Sequence, residues 1–582
     1  MILADDSSPT ILEIKQDLSV ENEEEYHLII QEDRIQIISK TEKAAFYGLV
    51  TLKQLQSEQI IETQEIKDKP DLEVRGLMLD ISRAKVLNVS SIKKIIDLVA
   101  ELKYNHLELY VEGFSYEYKN IKEALADKNY LTQEEYLEVE KYAIEKYIDF
   151  VPNHVARQYH SDMQPDGTSQ LGVNDDANYA FSPYNNFYYI PQSELHGQFD
   201  MQGTAGEPYK EFPAKATGNN RFDAYPNIND WYETVKLNYG VDYQNGGTCH
   251  FNPIPDTWTK MLDILMFWAG KHIDGFRCDM AEMVPVEFWE WAIPQVKTKH
   301  PDLLFIAEVY NPKEYGNYLF RGKFDYLYDK VGLYDTLRAI VCGDESATAI
   351  TRAWQSLGGI EKRMLNFLEN HDEQRIASDF FASNPRKAIP ALIVSACMNV
   401  NPMMIYFGQE FGELGMDSEG FSGRDGRTTI FDYWSVDTIR RWRNGGKFDG
   451  KMMTDNQKHL YAIYQRILTL CNEEKAISQG DFFDLMYANV NGWRFNEHKQ
   501  YTFLRKSGRE LLLFVVNFDH ISADLAINIP SHAFDFLQIP QMDRYHAVDL
   551  LSGKEETISL LPYKATEVSV EGYGGKIFKI KL

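Results

Sequence analysis

Short apolar runs alternate with amphipathic stretches from residue 74 onward, and this alternation constrains the fold more than any other feature of the sequence. Residues 76–80 and 106–111 are apolar runs of strand length. Between them lies an amphipathic stretch whose apolar face carries Ile92, Ile95, Ile96, Val99 and Leu102 at helical spacing. Repeated strand–helix units form a parallel sheet, and eight such units close into a barrel.

Later segments continue this rhythm and bring the number of predicted strands to eight. The third strand covers residues 147–151. The other five begin near Ile273, Leu303, Phe324, Met364 and Met403. We therefore predict an α/β fold whose centre is a (β/α)8 TIM barrel.

One stretch, residues 156–247, interrupts the rhythm after the third strand. It is rich in Asn, Asp, Gly, Pro and Tyr and has little hydrophobic periodicity. A structureless loop of this length is uncommon inside a compact domain. We predict that the stretch forms a subdomain inserted into the barrel.

Two further regions flank the barrel. Residues 1–72 alternate β-like runs with one helical stretch at 43–56, which predicts a small α+β domain. After residue 456 one helix precedes a series of short alternating strands, as in a β-sandwich. The predicted domains are therefore 1–72, a barrel at 73–455 that contains the insertion, and a sandwich at 456–582.

The charge of the chain narrows the range of its partners. The formal net charge is −27 over 582 residues, and no dense Lys/Arg block is present. Such a surface repels phosphate backbones and anionic lipids, so we expect a neutral substrate and neither nucleic acid nor a membrane as partner. The five cysteines are scattered and support neither a disulfide framework nor a zinc site.

No targeting segment is evident in the sequence. No apolar run is long enough to span a bilayer, and the first residues lack the basic and apolar regions of a signal peptide. The sequence leaves the localisation unknown: the protein is either cytoplasmic, or secreted or periplasmic with its leader removed.

Four carboxylates lie at or just beyond the ends of predicted barrel strands. They are Asp149, Asp279, Glu308 and Asp372. Barrel enzymes place their catalytic groups at these strand ends. Gathered carboxylates repel each other, and we expect this repulsion to raise at least one pKa, as acid–base chemistry requires. Strand alternation places Arg277 on the same face as Asp279, where it can hold that carboxylate ionised.

The segments around these carboxylates are similar to known motifs. Residues 149–154, 273–279, 304–309 and 364–372 resemble, in this order, the signature motifs of the α-amylase superfamily, glycoside hydrolase family 13. A lone Asp after a strand is usually a cap or turn residue, but four ordered motifs are hard to obtain by chance. The resemblance implies a retaining glycosidase acting on α-linked glucans.

The resemblance also implies a role for each site residue. Asp279 is the expected nucleophile and Glu308 the expected acid and base, with their carboxyl groups about 5 to 5.5 Å apart. Asp372 is expected to stabilise the transition state. The residues expected to bind or orient the sugar are Arg277, His154, His371 and Asp149.

Two finer features concern calcium and the subgroup. Asn153 matches a calcium ligand of the family, so calcium is an expected cofactor, and no organic cofactor is expected. Residues 235–238, Val-Lys-Leu-Asn, resemble a motif of neopullulanases and cyclomaltodextrinases. The expected substrates are therefore starch-type glucans, maltooligosaccharides or cyclodextrins.

The first quarter of the chain resembles a different family. Residues 69–83 and 102–110, with the small domain before them, resemble glycoside hydrolase family 20, the β-N-acetylhexosaminidases. In that family an arginine matching Arg83 binds the terminal sugar. The chain thus resembles a hybrid in which two strand–helix units from one barrel and six from another still close eight strands.

Several functions remain open from the sequence. The leading prediction is an α-glucan hydrolase, and the same site could instead transfer glycosyl groups to acceptors other than water. A third reading is a catalytically impaired protein that still binds carbohydrate. A β-N-acetylhexosaminidase is the weakest, because that family needs an Asp-Glu pair after strand four, where this chain has Cys278-Asp279.

Overall fold

The structure is a computed structural model. It describes residues 11–582 except for 18, 21, 32–33, 57–62, 73, 81–88, 111–145, 162–163, 165–166, 198, 202–205, 272, 422 and 431–435. Arg83, which was predicted to bind the terminal sugar, lies outside the described residues.

Eight parallel strands form the central sheet, and each pairs with the next along the chain. We name them barrel strands one to eight: Gly76–Asp80, His106–Tyr110, Lys146–Phe150, Gly275–Cys278, Leu304–Ala307, Tyr326–Tyr328, Met364–Phe367 and Met403–Met404. A parallel bridge between Leu77 and Ile405 joins the last strand to the first. The predicted (β/α)8 barrel is therefore confirmed.

Helices cover the outside of this sheet. The α-helices of the barrel region are Val89–Glu101, Asp256–Ala269, Val286–Lys299, Asp335–Cys342, Ala349–Ser356, Ile389–Cys397 and Asp437–Arg443. Helix Val286–Lys299 illustrates why they form. Pro285 precedes it, Glu287 lies in its first turn and Lys299 in its last, which suits the helix dipole. Its buried face carries Trp289, which packs against the outer face of the sheet.

Side chains alternate between the two faces of each barrel strand. On strand four, Phe276 and Cys278 belong to the outer core between sheet and helices. The inner core contains Met78, Tyr147, Ile306, Tyr328, Tyr334, Leu365, Phe367 and Met404. Strand one therefore packs inside the barrel with side chains of the later strands.

Two seams join the first two barrel strands to the other six. At one seam, Leu107 pairs with Lys146 and Glu108 with Tyr147. At the other, between strands eight and one, the described residues are joined by the bridge at Leu77 alone. The Asp71 carboxylate, which precedes strand one, accepts hydrogen bonds from Ser478 and Gln479 of the C-terminal region.

The N-terminal region is a four-stranded sheet covered by one helix, as predicted. The strands are Ile11–Gln16, Tyr26–Ile30, Arg34–Ser39 and Gln64–Asp68, and the helix is Glu42–Gln56. Alternate residues of the strands, such as Leu28 and Ile37, are buried beneath the helix together with Tyr47.

The insertion after barrel strand three contains short strands joined by turns. They are His154–Ala156, Tyr189–Ile190, Ala214–Lys215, Thr234–Lys236, Val241–Asp242 and Thr248–Cys249. The first and fourth of these pair antiparallel, with His154 opposite Lys236. This pairing brings the end of the insertion back to the mouth of the barrel. The exact limits of the insertion stay a prediction.

The C-terminal region begins with helix Asp455–Glu473, which has a capping box at Thr454 and Gln457. Short helices follow at Lys475–Ser478 and Ser531–Leu537. A six-stranded and a two-stranded sheet contain strands Asp481–Asp484, Gln500–Ser507, Glu510–Asn517, Ala523–Ile527, Met542–Asp549, Glu555–Leu560, Thr566–Val570 and Gly574–Lys581.

In the part of the chain that the structure describes, no helix is long and apolar enough to cross a membrane.

Candidate active site

Arg277 lies at the centre of the candidate site and joins three of the predicted carboxylates. Its Nη1 is 3.1 Å from Asp149 Oδ1 and 2.9 Å from Asp279 Oδ1. Its Nη2 is 2.9 Å from Glu308 Oε2. The guanidinium is 1% exposed, so these ion pairs are poorly screened by water.

The register of the parallel strands explains this gathering. Arg277 is paired with Asp149 on strand three and with Ile306 on strand five. Beyond the strands the same ladder continues, because the backbone N–H of Asp279 donates to Phe150 and that of Glu308 donates to Cys278. The carboxylates of three adjacent strands therefore surround one inward-facing arginine.

Both oxygens of Glu308 have hydrogen-bond donors. Oε2 accepts from the backbone N–H of Met280 at 2.8 Å, and Oε1 accepts from the hydroxyl of Tyr310. The Glu308 side chain is 2% exposed. Its orientation is thus fixed before any substrate enters.

Asp372 lies on the turn after strand seven. The Asn370 side chain accepts from the backbone N–H groups of Asp372 and Glu373, and the Arg427 Nε donates to the Asp372 carbonyl at 2.7 Å. His371 Nε2 is 3.2 Å from Asp372 Oδ2. Burial, and next the Glu308 carboxylate, raises the pKa of Asp372 to about 7.

Asp149 has a similarly perturbed acidity. Burial raises the pKa of Asp149 to about 7, although the Arg277 guanidinium lowers it, and the Asp279 and Glu308 carboxylates raise it further. The sequence predicted a raised pKa from mutual repulsion. Repulsion contributes at both positions, but burial in the barrel mouth is the larger cause, and a strand-end pattern does not report burial.

The hydrogen bonds of Asn153 determine the tautomer of His154. Asn153 Oδ1 accepts from the Lys236 ammonium, so the other amide atom is the nitrogen. That Nδ2 donates to the Gly218 carbonyl at 2.9 Å and lies 3.1 Å from His154 Nδ1. Because Nδ1 must accept, the proton of the imidazole is on Nε2.

His154 is also electrically neutral at neutral pH. Burial and the nearby Lys236 ammonium lower the pKa of His154 to about 4, although the Glu308 carboxylate raises it. A neutral imidazole with its proton on Nε2 is a hydrogen-bond donor suited to a sugar hydroxyl.

The residues around Asn153 do not fit the expected calcium ion. The Asn153 oxygen that would bind calcium is contacted by the Lys236 ammonium, and Asn153 is fully buried. Burial lowers the pKa of Lys236 to about 7. Among the described residues, no group of three or more His, Cys, Asp or Glu side chains could hold a metal. Calcium ligands are several oxygens, and here the Lys236 amino group already contacts the one oxygen that Asn153 offers.

The structure brings together all the described residues predicted for the site and adds others. Tyr310 was missed, although it lies two residues after Glu308 and alternation places it on the same side. Tyr328 at the end of strand six has its ring 5.5 Å from the Arg277 guanidinium. The sequence indicated Lys236 only as part of a motif. Its contact with Asn153 could not be predicted, because the two residues are 83 positions apart. The roles of these residues stay predictions.

Two families match the sequence. The family described as "Alpha amylase, catalytic domain" matches residues 114–480. The family described as "Glycosyl hydrolase family 20, domain 2" matches residues 4–69. Both predicted resemblances are therefore confirmed, and residues 70–113 lie between the two matches. The α-amylase match begins at residue 114, earlier than the predicted join, which placed the hexosaminidase-like part at residues 1 to about 145 and the α-amylase-like part from about 147 onward.

Curated relatives match only parts of the chain. An α-1,4-glucan:maltose-1-phosphate maltosyltransferase of Cereibacter sphaeroides is 34% identical over 92 residues, which is 15% of this chain and 16% of that protein. The α-amylase MalA of Haloarcula japonica is 30% identical over 202 residues, covering 32% and 28%. Neopullulanase 2 of Thermoactinomyces vulgaris is 25% identical over 227 residues, covering 37% and 38%. The chain thus spans well under half the length of these relatives.

Solved structures cover much more of the chain. An α-amylase from H. orenii aligns with a TM-score of 0.56 and 15% identity over 87% of this chain and 99% of its own. An α-amylase from Geobacillus thermoleovorans, complexed with acarbose, aligns with a TM-score of 0.54 and 14% identity over 88% and 98%. At such identity these likenesses concern the fold alone. The family match at residues 114–480 covers more than half of the sequence, and the chain therefore belongs to the α-amylase family.

Proposed function

We propose that the protein is a retaining glycoside hydrolase that cleaves α-glucosidic bonds of starch-type glucans, maltooligosaccharides or cyclodextrins. The observation that carries the proposal is the single guanidinium of Arg277, which lies 2.9 Å from both Asp279 and Glu308. Two carboxylates held on one cation can flank one glycosidic bond, as a retaining mechanism requires.

In the first step, the Asp279 carboxylate attacks the anomeric carbon. The bond between that carbon and the glycosidic oxygen breaks, and Glu308 gives its proton to the departing oxygen. Arg277 Nη1 donates to Asp279 Oδ1 at 2.9 Å and so orients the carboxylate towards the anomeric carbon. The products are a glycosyl ester on Asp279 and a shortened glucan.

In the second step, water attacks the anomeric carbon of the ester. Glu308, now ionised, takes a proton from the water, and the carbon–oxygen bond to Asp279 breaks. The sugar leaves with the same anomeric configuration, and both carboxyl groups return to their initial states. No oxidant, metal or organic cofactor enters the balance.

Other residues prepare the site for this sequence of events. In the resting site Tyr310 donates to Glu308 Oε1, so a glycosidic oxygen must share or displace that contact to receive the proton. The neutral His154 offers its Nε2 proton to a sugar hydroxyl. The Asp372 side chain is 36% exposed and can accept hydrogen bonds from sugar hydroxyls.

A transferase is the second candidate. A curated relative named as a maltosyltransferase matches part of the chain, which favours this candidate. The same ester on Asp279 could pass to a sugar hydroxyl or a phosphate instead of water. Product analysis distinguishes the two, because transfer yields longer glucans or a glycosyl phosphate and hydrolysis yields reducing ends.

The test is a paired assay of the parent, Asp279→Asn and Asp535→Asn, the last being an exposed aspartate outside the barrel. The substrates are maltooligosaccharides, cyclodextrin, pullulan and an aryl N-acetylglucosaminide. We expect glucan cleavage by the parent and Asp535→Asn, and a loss of roughly 10⁴-fold or more in Asp279→Asn.

The other outcomes decide against this function. Cleavage of the N-acetylglucosaminide alone would indicate a hexosaminidase. Binding of maltotriose by a folded parent without turnover would indicate a carbohydrate-binding protein. Equal activity of Asp279→Asn and the parent would remove Asp279 from the mechanism.

A further inference from the structure

Trp231, near the end of the insertion, lies against the site without belonging to any motif quoted above. Its indole ring contacts the His154 imidazole, with ring centroids 5.5 Å apart and planes tilted by 52°. The residue is 36% exposed, so it is only partly covered by the protein although its ring lies against His154.

The backbone at Trp231 is in an unusual conformation. Its φ is 46°, in the left-handed region that bulky side chains rarely adopt. Such conformations persist only where the surroundings impose them, and they concentrate at functional sites. Glycine or asparagine would occupy this position with less strain.

Hydrogen bonds on both sides impose the conformation. The Trp231 carbonyl accepts from the backbone N–H of Thr234 at 2.9 Å and from its hydroxyl at 2.8 Å. On the other side, the Asp230 carboxylate accepts from the backbone of Asn227 and from Arg221. Thr234 itself is in the strand that pairs with His154–Ala156, so the turn is fixed relative to His154.

A purely structural role explains these observations poorly. The large fully buried aromatic side chains of the insertion, such as Tyr188, lie in its interior. Trp231 is instead partly exposed, and its ring lies beside a histidine whose imidazole proton is on Nε2. A flat apolar surface beside a hydrogen-bond donor is the pairing that binds a pyranose ring, which has an apolar face and a polar rim.

We infer that Trp231 is a substrate-contact residue, on whose indole a pyranose ring of the glucan stacks while the His154 Nε2–H donates to one of its hydroxyls. The inference rests on the proposed function, because it names a neutral sugar as the ligand. The strained turn at Trp231 holds the indole in place before the sugar arrives, which lowers the ordering cost of binding.

Two substitutions at Trp231 distinguish the contribution of the indole ring to sugar binding from that of the backbone conformation. Trp231→Asn removes the aromatic surface with a residue that tolerates positive φ, and Trp231→Phe keeps a smaller ring. Trp493→Ala is the matched control, since Trp493 is 70% exposed in the C-terminal region. Each variant is assayed for kcat and KM on maltotriose, and its dissociation constant for the same sugar is measured by isothermal titration calorimetry in the Glu308→Gln background, alongside its intrinsic fluorescence.

We expect Trp231→Asn to raise KM and the dissociation constant of maltotriose about tenfold, with kcat changed by less than about threefold. Trp231→Phe should recover most of the affinity, and Trp493→Ala should behave as the parent. Of the nine tryptophans, Trp231 should account for the fluorescence change, which should disappear in Trp231→Phe.

The outcomes distinguish this inference from the function on which it rests. If the parent binds maltotriose and Trp231→Asn binds it equally well, Trp231 is not a substrate contact, although the glycosidase proposal survives. If thermal unfolding falls sharply in Trp231→Asn and kcat falls with it at unchanged KM, the residue is structural and the inference is overturned. If the folded parent neither binds nor cleaves glucan, the proposed function and this inference both fail.

Discussion

Two buried arginines, Arg277 and Arg375, have nearly the same setting but different partners. Each side chain is 1% exposed, and each guanidinium lies over a tyrosine ring, that of Tyr328 for Arg277 and that of Tyr406 for Arg375. Arg375 meets one carboxylate, Glu369, at 2.8 Å. Its Nε also donates to the Thr428 hydroxyl and its Nη2 to the Phe407 carbonyl.

In the Arg277 cluster the charges do not cancel, and not every polar atom has a hydrogen bond. One cation serves Asp149, Asp279 and Glu308, with Asp372 nearby. Among the described residues, Arg277 Nε has no hydrogen-bond partner, and Nη2 meets Glu308 at short distance without the geometry of a hydrogen bond. In a buried ion pair that only supports the fold, the charges cancel and the polar atoms are hydrogen-bonded. A site that must transfer protons instead contains more carboxyl groups than cations.

The largest effect that would test this contrast is on turnover. Glu308→Gln should lower kcat/KM on maltooligosaccharides by roughly 10³-fold, because the glutamine cannot donate the proton, and much less on an aryl glycoside with an activated leaving group. Steady-state kinetics on both substrates measure the difference. Equal losses on the two substrates would contradict the role of Glu308 as the acid.

Arg375→Met should act on stability instead. It leaves Glu369 buried without its cation and should cost about 3–5 kcal/mol, while Arg375→Met combined with Glu369→Leu should recover most of that loss. Thermal unfolding at a fixed scan rate measures both variants. If the single and double variants lose stability equally, the pair is not the balanced structural unit described here.

Asp372→Asn should change the stability of the protein in a pH-dependent way, as expected for a cluster with excess carboxyl groups. The pKa of Asp372 is raised from 3.8 to about 7, so the folded state binds this proton more tightly than the unfolded state. The ionised carboxylate therefore destabilises the fold increasingly as pH rises from about 4 to 7. At pH 8 we expect Asp372→Asn to be more stable by about 1 kcal/mol, a figure reduced for the partial exposure of this side chain.

The Asp372→Asn comparison has an internal control. Below pH 4 both the parent carboxyl and the asparagine are uncharged, so the unfolding temperatures of the two proteins should converge. Asp535→Asn, at an exposed position, should track the parent at every pH. A difference between Asp372→Asn and the parent that does not change with pH would rule out this electrostatic account.

Tyr310→Phe should reduce kcat about tenfold, since Glu308 loses one donor that orients it. Tyr315→Phe is the matched control, because the Tyr315 hydroxyl is buried without a hydrogen-bond partner among the described residues. The control should keep full activity and equal or greater stability. Unchanged kcat in Tyr310→Phe would remove that residue from the site.

The smallest effect concerns a third buried cation, Lys236, which meets the Asn153 amide and a backbone carbonyl. Lys236 Nζ contacts the Asn153 oxygen that was expected to bind calcium. EDTA should therefore leave the activity and the unfolding temperature of the parent unchanged. A loss of activity in EDTA that calcium restores would show that the Lys236 contact does not replace the ion.

The barrel and its carboxylates could be predicted because their signals are local. The alternation of apolar runs with amphipathic stretches marks strand ends, and strand periodicity is enough to place Arg277 with Asp279. The motif resemblance then identifies which strand ends carry the chemistry. The small N-terminal domain was predictable for the same reason, since its helix at Glu42–Gln56 is a continuous periodic segment.

The remaining features depend on contacts between distant parts of the chain. Arg277 and Asp149 are 128 residues apart, and burial at their meeting point is what raises the Asp149 pKa. The expectation of calcium at Asn153 came from a matching residue, whereas the Lys236 contact that opposes it depends on how the insertion folds back. The position of Trp231 depends on a turn conformation that its own residue type disfavours.

The pairing between barrel strands eight and one affects the expected resistance of the protein to opening and aggregation during storage. Among the described residues, a single parallel bridge between Leu77 and Ile405 closes the ring, so we expect thermal opening to begin there. An opened ring exposes two strand edges that can pair with other molecules and aggregate. The Asp71 carboxylate, which precedes strand one, accepts hydrogen bonds from Ser478 and Gln479 of the C-terminal region, and we expect these contacts to slow such opening during storage.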